Sequence, residues 1–319
     1  MRRSAAPITE SDFATDVVAG LTRKGQKQIA AKYLYDDIGS ALFDVITLLP
    51  EYGLTRADLR LLKAHAAELS DLIQPSIVVE LGSGGGGKAR LLLREFASRQ
   101  EDVVYCPIDV SASALERCVH ELAGIEGLRI KPIEALYHRG LRAALEERPA
   151  DAPALILFLG SSLGNFSAPE REGLLKDIRR QVRAGDLFLL STDLQKDRPR
   201  MLAAYDDAIG ATAAFNLNLL ARMNRELGTD FDTSRFVHEV RYDERHHRIE
   251  MHLRSTANQV VSIGAAPLGF RQGETIWTES SYKFRCDDIR RLARKSGFRC
   301  LTQWVDEEWP FAQSLLRAI

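Results

Sequence analysis

With 319 residues and 45% hydrophobic content, the chain is long enough for one large or two moderate domains with well-buried cores. Its 43 Lys and Arg nearly balance 44 Asp and Glu, leaving a formal net charge of −1. That balance argues against a nucleic-acid binder and for a small-molecule partner.

The opening MRRSAAPITESDF carries Arg2 and Arg3 but no apolar core of a secretory signal, and no apolar run approaches the roughly 18 residues that span a bilayer. A cytoplasmic protein is expected, with no membrane partner. Residues 8–30 show a mild helical pattern through Phe13, Val17, Val18 and Leu21. The arm that follows, YLYDDIGSALFDVITLLPEYGLTR, is dense in aromatics (Tyr33, Tyr35, Phe43, Tyr52). Aromatics at this spacing build a core, and an arm standing before the first strand of an α/β domain also suits a lid. Next, ADLRLLKAHAAELSDLI is amphipathic through Leu59, Leu62, Ala66 and Leu69 and packs on a sheet.

From Ser76 to Val110 a β-branched run passes through Glu80 and Leu81 into the glycine cluster GSGGGGK, then a helical pattern, then a second apolar run. This is a β-loop-α-β unit. Gly82 to Lys88 satisfies the GxxxxGK phosphate loop, but Ala89 stands where a Ser or Thr should hold magnesium. The alternative spacing, Glu80, Gly82, Gly84 and Gly86 with Asp109 closing the second strand, suits an adenosine whose ribose hydroxyls a carboxylate accepts. S-adenosylmethionine and NAD both meet that description.

Alternation continues beyond this unit, with strands predicted at Ile77–Leu81, Val103–Val110, Leu128–Leu136, Ala154–Leu159 and Leu187–Thr192. Helices are predicted at Ala89–Ser98, Ala112–Leu122, Arg139–Glu147 and Pro169–Arg183, the last capped by Ser167 with Glu170 three residues on. The expected fold is α/β, a doubly wound parallel sheet with ligands at the carboxyl ends of its strands. Those ends are Gly82, Asp109, Leu136–Tyr137, Gly160–Asn165 and Thr192–Asp193.

Residues 195–283 break the alternation. A helix over Ala211–Leu227 precedes strand-like runs at Phe236–Tyr242, Arg248–Arg254, Gln259–Ile263 and Thr275–Lys283, an α+β insertion. The sheet resumes with a helix at Asp287–Lys295 and strands at Phe298–Val305 and Phe311–Ile319. A closing helix and hairpin favour a class I methyltransferase (Rossmann-like) sheet over a dehydrogenase, and S-adenosylmethionine over NAD.

Several residues could carry chemistry. Asn165, in LGSSLGNF, either caps its loop or receives a carboxylate or amine. Period-two alternation over Thr275–Lys283 puts Trp277, Glu279, Ser281 and Lys283 on one face, so that Glu279 and Ser281 form an acceptor and donor for a ring such as imidazole, or a solvated face. Met251 shares a face with Ile249 and Leu253. The cysteines Cys106, Cys118, Cys286 and Cys300 show no CxxC spacing, and His246 and His247 sit in a turn without a ligand cluster, so no metal is expected.

Taken together, the arm, ELGSGGGGK, LGSSLGNF, AAYDDAIGATAAFNLN, RIEMHLR and TESSYKFR resemble the L-histidine Nα-methyltransferases of ergothioneine biosynthesis, in the same order over almost the whole chain. The resemblance implies a methyltransferase domain (57–194 and 284–319) with a substrate-binding or lid domain (8–56 and 195–283). It implies an enzyme that trimethylates histidine from S-adenosylmethionine to give hercynine; a monomer is expected. Gly82, Gly84, Lys88 and Asp109 would contact the cosubstrate, with Leu136 and Tyr137 beside the adenine where the family usually has Asp-Phe. Gly160, Asn165 and Tyr205 would hold the amino-acid end of histidine; Tyr52, Glu279 and Ser281 the imidazole, with Met251 packed against it. Tyr35 and Phe43 would wall the methylated nitrogen, and Tyr52 and Asn165 would act in catalysis. The alternatives are a methyltransferase of tryptophan or tyrosine, an NTPase or NAD oxidoreductase, and a non-catalytic binder.

Overall fold

The computed structural model describes residues 10–146, 148, 152–263 and 266–319. In chain order it holds α1 (Glu10–Thr22), β1 (Lys27–Gln28), α2 (Asp37–Leu48), α3 (Gly53–Leu72), β2 (Ile77–Leu81), α4 (Ala89–Arg99), β3 (Val103–Asp109) and α5 (Ala112–Leu122). There follow β4 (Leu128–Ile130), β5 (Ile133–Glu134), α6 (Tyr137–Glu146), β6 (Ala154–Phe158), α7 (Ala168–Gln181), β7 (Leu187–Asp193), α8 (Arg198–Ala203) and α9 (Ala211–Leu227). The last part comprises β8 (Phe236–Asp243), β9 (Arg248–Ser255), β10 (Gln259–Ile263), β11 (Ala266–Phe270), β12 (Thr275–Tyr282), α10 (Cys286–Lys295), β13 (Phe298–Asp306) and β14 (Phe311–Ala318). The chain divides into two compact units, one containing Leu54–Gln195 and Lys283–Ile319, the other Ile8–Gly53 and Lys196–Tyr282. Residues 8 and 9, where the sequence starts its second domain, and Glu147, at the end of a predicted helix, lie outside the described residues.

The first unit is built on an eight-stranded sheet of order β13-β14-β7-β6-β2-β3-β4, with β5 also paired to β3. Strands β2, β3, β4, β5, β6 and β7 pair in parallel, while β14 runs antiparallel to β7 and to β13. This is the closing hairpin expected of a class I methyltransferase sheet. Every residue of β2, β6 and β7 is buried, which is why these segments open as apolar runs and do not alternate, with Glu80 and Ser191–Asp193 the buried polar exceptions. Leu62 and Leu69 of α3, Leu92, Leu93 and Phe96 of α4 and Leu122 of α5 pack with Val78, Leu155, Leu157 and Leu189 in the core. Each such side chain contributes about 1.5–3 kcal/mol on burial. The strand order reverses at β2, flanked by β3 on one side and β6 on the other, so the crevice beyond their carboxyl ends is the switch point at which such sheets take ligands. The capping box of α7 forms as read, with Ser167 N–H donating to Glu170 at 2.7 Å.

The second unit carries a four-stranded sheet, β1-β12-β9-β8, in which only the β1–β12 pairing is parallel, and a separate hairpin of β10 and β11. Helix α9 ties the arm down: Asn218 donates to Asp36 at 2.7 Å, Arg225 pairs with Asp36 at 2.5 Å, and Arg222 donates to the Tyr33 carbonyl at 3.0 Å. Asp36 also caps α2 by accepting from Gly39 N–H.

Three expectations need correction. The run Leu128–Leu136 is not one strand but the short pieces β4 and β5, both on β3. The arm also holds β1 and the insertion also holds α8 and β11; β1 and α8, at two and six residues, are too short for periodicity to reveal, and in β11 Pro267 and Gly269 mask the strand pattern. Finally, the register of β12 on β9 shifts between Trp277 and Glu279, a bulge that breaks the alternation. Trp277 therefore does not share a face with Glu279 and Ser281. It stacks on His252 at 6.0 Å between ring centroids, and Arg248 lies over both Trp277 and Tyr282, the neighbour that alternates with Ser281.

Candidate active site

In the first unit the glycine loop leaves β2 against the end of β3, with the Gly82 N–H donating to the Ile108 carbonyl at 2.8 Å. Asp109 accepts from the Gly84 N–H at 2.9 Å and from the Ser111 N–H at 3.0 Å. Burial pushes its carboxyl above the usual carboxylate range against these donors. A carboxylate offers about four acceptor sites, so Gly84 and Ser111 leave room on Asp109 for further donors such as ribose hydroxyls. The loop tightens at Gly86, whose φ of 77° is left-handed and whose added Cβ would stand 2.6 Å from the Cys118 Sγ. Behind it, Glu80 is buried, accepts from the Tyr105 hydroxyl, and is pushed up to about 7, mainly by desolvation. Glu80 thus ties β2 to the neighbouring β3 through Tyr105.

Lys88 and Gly160 meet at the switch point. An added Cβ at Gly160 would lie 2.5 Å from the Lys88 Nζ and would push the ammonium aside, and the φ of 73° strains any side chain there. The Lys88 Nζ is 3.7 Å from Asp58, a fully buried carboxylate that also accepts from the Gly160 N–H at 2.8 Å, Ser191 at 2.6 Å and Gln313 at 2.6 Å. Ser161 follows with a left-handed φ of 65°, which side chains seldom adopt. It is held by its Oγ, which accepts from the Asp193 N–H at 2.8 Å; Asp193 pairs in turn with buried Lys283 at 2.9 Å. Asn165 ends the 3₁₀ turn that follows and is partly buried. Tyr137 opens α6 with its ring 5.3 Å from Phe158 and 6.4 Å from Phe166. The Leu136 carbonyl accepts from the Arg139 and Gly140 N–H groups, and Glu134 is exposed.

The second unit gathers the remaining expected residues. Tyr35 and Phe43 stand edge to face at 5.5 Å, Phe215 of α9 lies 5.4 Å from Tyr35, and Tyr52 lies 6.1 Å from Phe43 and from Tyr205. The Tyr205 and Ser281 hydroxyls are 2.6 Å apart and both residues are buried. Glu279, also buried, stands directly across the ladder from Met251, and Ser281 across from Ile249, so these four share one face of the sheet. A buried carboxylate, two hydroxyls and a thioether beside an aromatic wall suit a small ring that both donates and accepts hydrogen bonds.

Sequence reasoning missed Asp58, Phe215, Asn216 and His238. Asp58 sits in a helix that reads as amphipathic, and nothing local distinguishes it from a solvated acid. Phe215 and Asn216 lie within the quoted AAFNLN stretch, where an asparagine inside an apolar helical run is a signal of a buried partner. Among the described residues no group of three or more His, Cys, Asp or Glu could hold a metal, and no helix is long and apolar enough to cross a membrane.

Residues 13–318 match the model of a family described as histidine-specific methyltransferase, SAM-dependent. The chain is 40% identical over 306 residues to the histidine N-alpha-methyltransferase of Mycobacterium tuberculosis, covering 94% of this chain and 93% of that one. It is 38% identical over 315 residues to the protein of the same name from Mycolicibacterium smegmatis, covering 98% and 96%. Ergothioneine biosynthesis protein 1 of Neurospora crassa is 29% identical over 310 residues, which are 96% of this chain but 35% of that protein.

Proposed function

This chain belongs to the histidine-specific, S-adenosylmethionine-dependent methyltransferase family, and on that premise we propose that it converts L-histidine to hercynine by three methyl transfers to the α-amine. The observation that carries the choice of substrate is the buried face holding Glu279, Ser281 and Met251 with Tyr205 against it. An indole donates but cannot accept, and a phenol donates and accepts at one oxygen only, whereas an imidazole donates from one nitrogen and accepts at a second across the ring, which suits a carboxylate and hydroxyls standing apart.

Gly82, Gly84, Lys88 and Asp109 are assigned to the cosubstrate, with Leu136 and Tyr137 beside its adenine; the acceptor sites left on Asp109 support this. Because the Leu136 carbonyl already serves the helix, the Tyr137 ring is the adenine contact with most support on this side. When bound, S-adenosylmethionine supplies an electrophilic methyl on a sulfonium. Gly160, Asn165 and Tyr205 orient the carboxylate and amine of histidine, and Tyr52, Glu279 and Ser281 hold the imidazole. An α-amine with a pKa of about 7.7–8.0 is partly neutral at physiological pH, so its lone pair is available without a strong base. Alignment of two held reactants can supply up to roughly 7–11 kcal/mol.

In each transfer a C–S bond breaks as an N–C bond forms. The first two products each give up one proton, with Tyr52 as relay, and the third keeps its charge. Tyr35 and Phe43 then face a fixed cation, which an aromatic face stabilises by about 0.5–2 kcal/mol. The test is mass spectrometry of purified protein with S-adenosylmethionine and an equimolar mixture of the twenty amino acids. A gain of three methyls on histidine alone is expected. Methylation of a different amino acid would overturn the substrate, and no methylation would overturn the activity.

A further inference from the structure

Tyr205 is not held by regular secondary structure. It lies in the turn after α8, where its N–H donates to the Leu202 carbonyl at 2.9 Å. Its own carbonyl accepts from the His238 Nε2 at 2.8 Å, a bond that crosses from the loop to β8. Since a carbonyl can only accept, the Nε2 carries the proton, and the Nδ1 is then free to accept from the Asn216 Nδ2 at 2.9 Å. The same Asn216 nitrogen donates to the His252 carbonyl at 3.0 Å. Both of its contacts are acceptors, so the orientation of this fully buried amide is fixed. The price of that orientation is its Oδ1, which has no hydrogen-bond partner among the described residues. An amide that only filled space would be expected to use both ends. Two residues after Tyr205, Asp207 accepts from the Ala211 and Thr212 N–H groups at 2.8 and 2.7 Å and joins the loop to the start of α9, the helix that bears Asn216.

We propose that Asn216 and His238 are positioning residues that clamp the Tyr205 backbone so that its hydroxyl, paired with Ser281, meets the amino-acid substrate. The inference rests on the reading of Tyr205 and Ser281 as histidine contacts. Neither clamp residue needs to touch the substrate: the tautomer of His238 is set by the tyrosine carbonyl on one side and the asparagine amide on the other. Burial holds the ring below the usual histidine range, in keeping with a neutral imidazole, although Asp206 and Asp207 pull the other way.

Two isosteres separate the bonds. In His238→Gln the side-chain amide nitrogen falls near the position of Nε2 and can still donate to Tyr205; in His238→Asn only the Nδ1 side is reproduced. Michaelis constants for histidine should rise at least tenfold in His238→Asn and stay within threefold in His238→Gln, with the dissociation constant for S-adenosylmethionine within twofold in both. Asn216→Ala, whose alanine suits a helix, leaves the imidazole free to turn away from Tyr205 and also drops the bond to the His252 carbonyl, so it should move the histidine constant in the same sense, and it decides the question if His238→Asn does not fold. Equal constants in the two His238 variants, an unmoved constant in Asn216→Ala, or a parallel loss of S-adenosylmethionine affinity would each overturn the clamp. Wild-type protein that transfers no methyl to histidine would instead overturn the reading on which the clamp rests.

Discussion

Replacing Gly86 by alanine tests whether the glycine loop is shaped by what lies behind it. The new Cβ would stand 2.6 Å from the Cys118 Sγ and 3.3 Å from its Cα, with φ at 77°. The left-handed backbone costs a non-glycine residue about 1–2 kcal/mol, and overpacking a filled site about 1–3 kcal/mol. Reduced freedom of the unfolded chain returns roughly 0.4–1 kcal/mol. Gly86→Ala should therefore lose on the order of 1–4 kcal/mol in urea unfolding of the ligand-free protein. Cys118→Ala removes the nearest atom but leaves the Cα and the backbone strain, so in a double-mutant cycle it should recover only the steric part, about 1–3 kcal/mol. Gly87 is the control: it is exposed, and a Cβ there meets nothing within 4 Å. Gly87→Ala should be neutral or stabilising by about 0.4–1 kcal/mol. If Gly86→Ala matched wild type, or if the two substitutions were strictly additive, the steric account of the loop would be wrong.

Glu80 gives the protein a pH-dependent weakness. Its carboxyl titrates at about 7 in the fold because burial penalises the charge, and in the ordinary carboxylate range once unfolded. Between roughly pH 4.5 and 7 the native state binds the extra proton, so stability falls as pH rises through that window, by on the order of 3 kcal/mol. Glu80→Gln abolishes this slope, and a stability difference between variant and wild type that stays flat from pH 4 to 8 would refute it. Glu279→Ala should reduce the preference for histidine over tryptophan about 10–100-fold in a competition assay, as loss of a hydrogen bond to a charged group costs about 1.5–3 kcal/mol. An unchanged preference would remove Glu279 from the imidazole site.

The amino-acid sequence by itself determined the alternating elements of the first unit. Ile77–Leu81 and Ala112–Leu122 form between the very residues that periodicity indicates, and the final helix and hairpin close the sheet as read. Apolar period and caps such as Ser167 with Glu170 act over a few residues and so are written locally. Asp109 falls at the end of its strand and the glycine loop at the switch point for the same reason.

Tertiary structure alone decided the rest. The bulge that separates Trp277 from Glu279 depends on register against β9, which one strand's own sequence does not fix. Asp58 became the support of Gly160 only when helix α3 met the ends of β6, β7 and β14. His238 reached Tyr205, 33 residues away, only when the loop folded back on β8. These bonds join groups far apart in the chain, and a polar side chain acquires such a partner through the packing of whole elements, which carries no local signature.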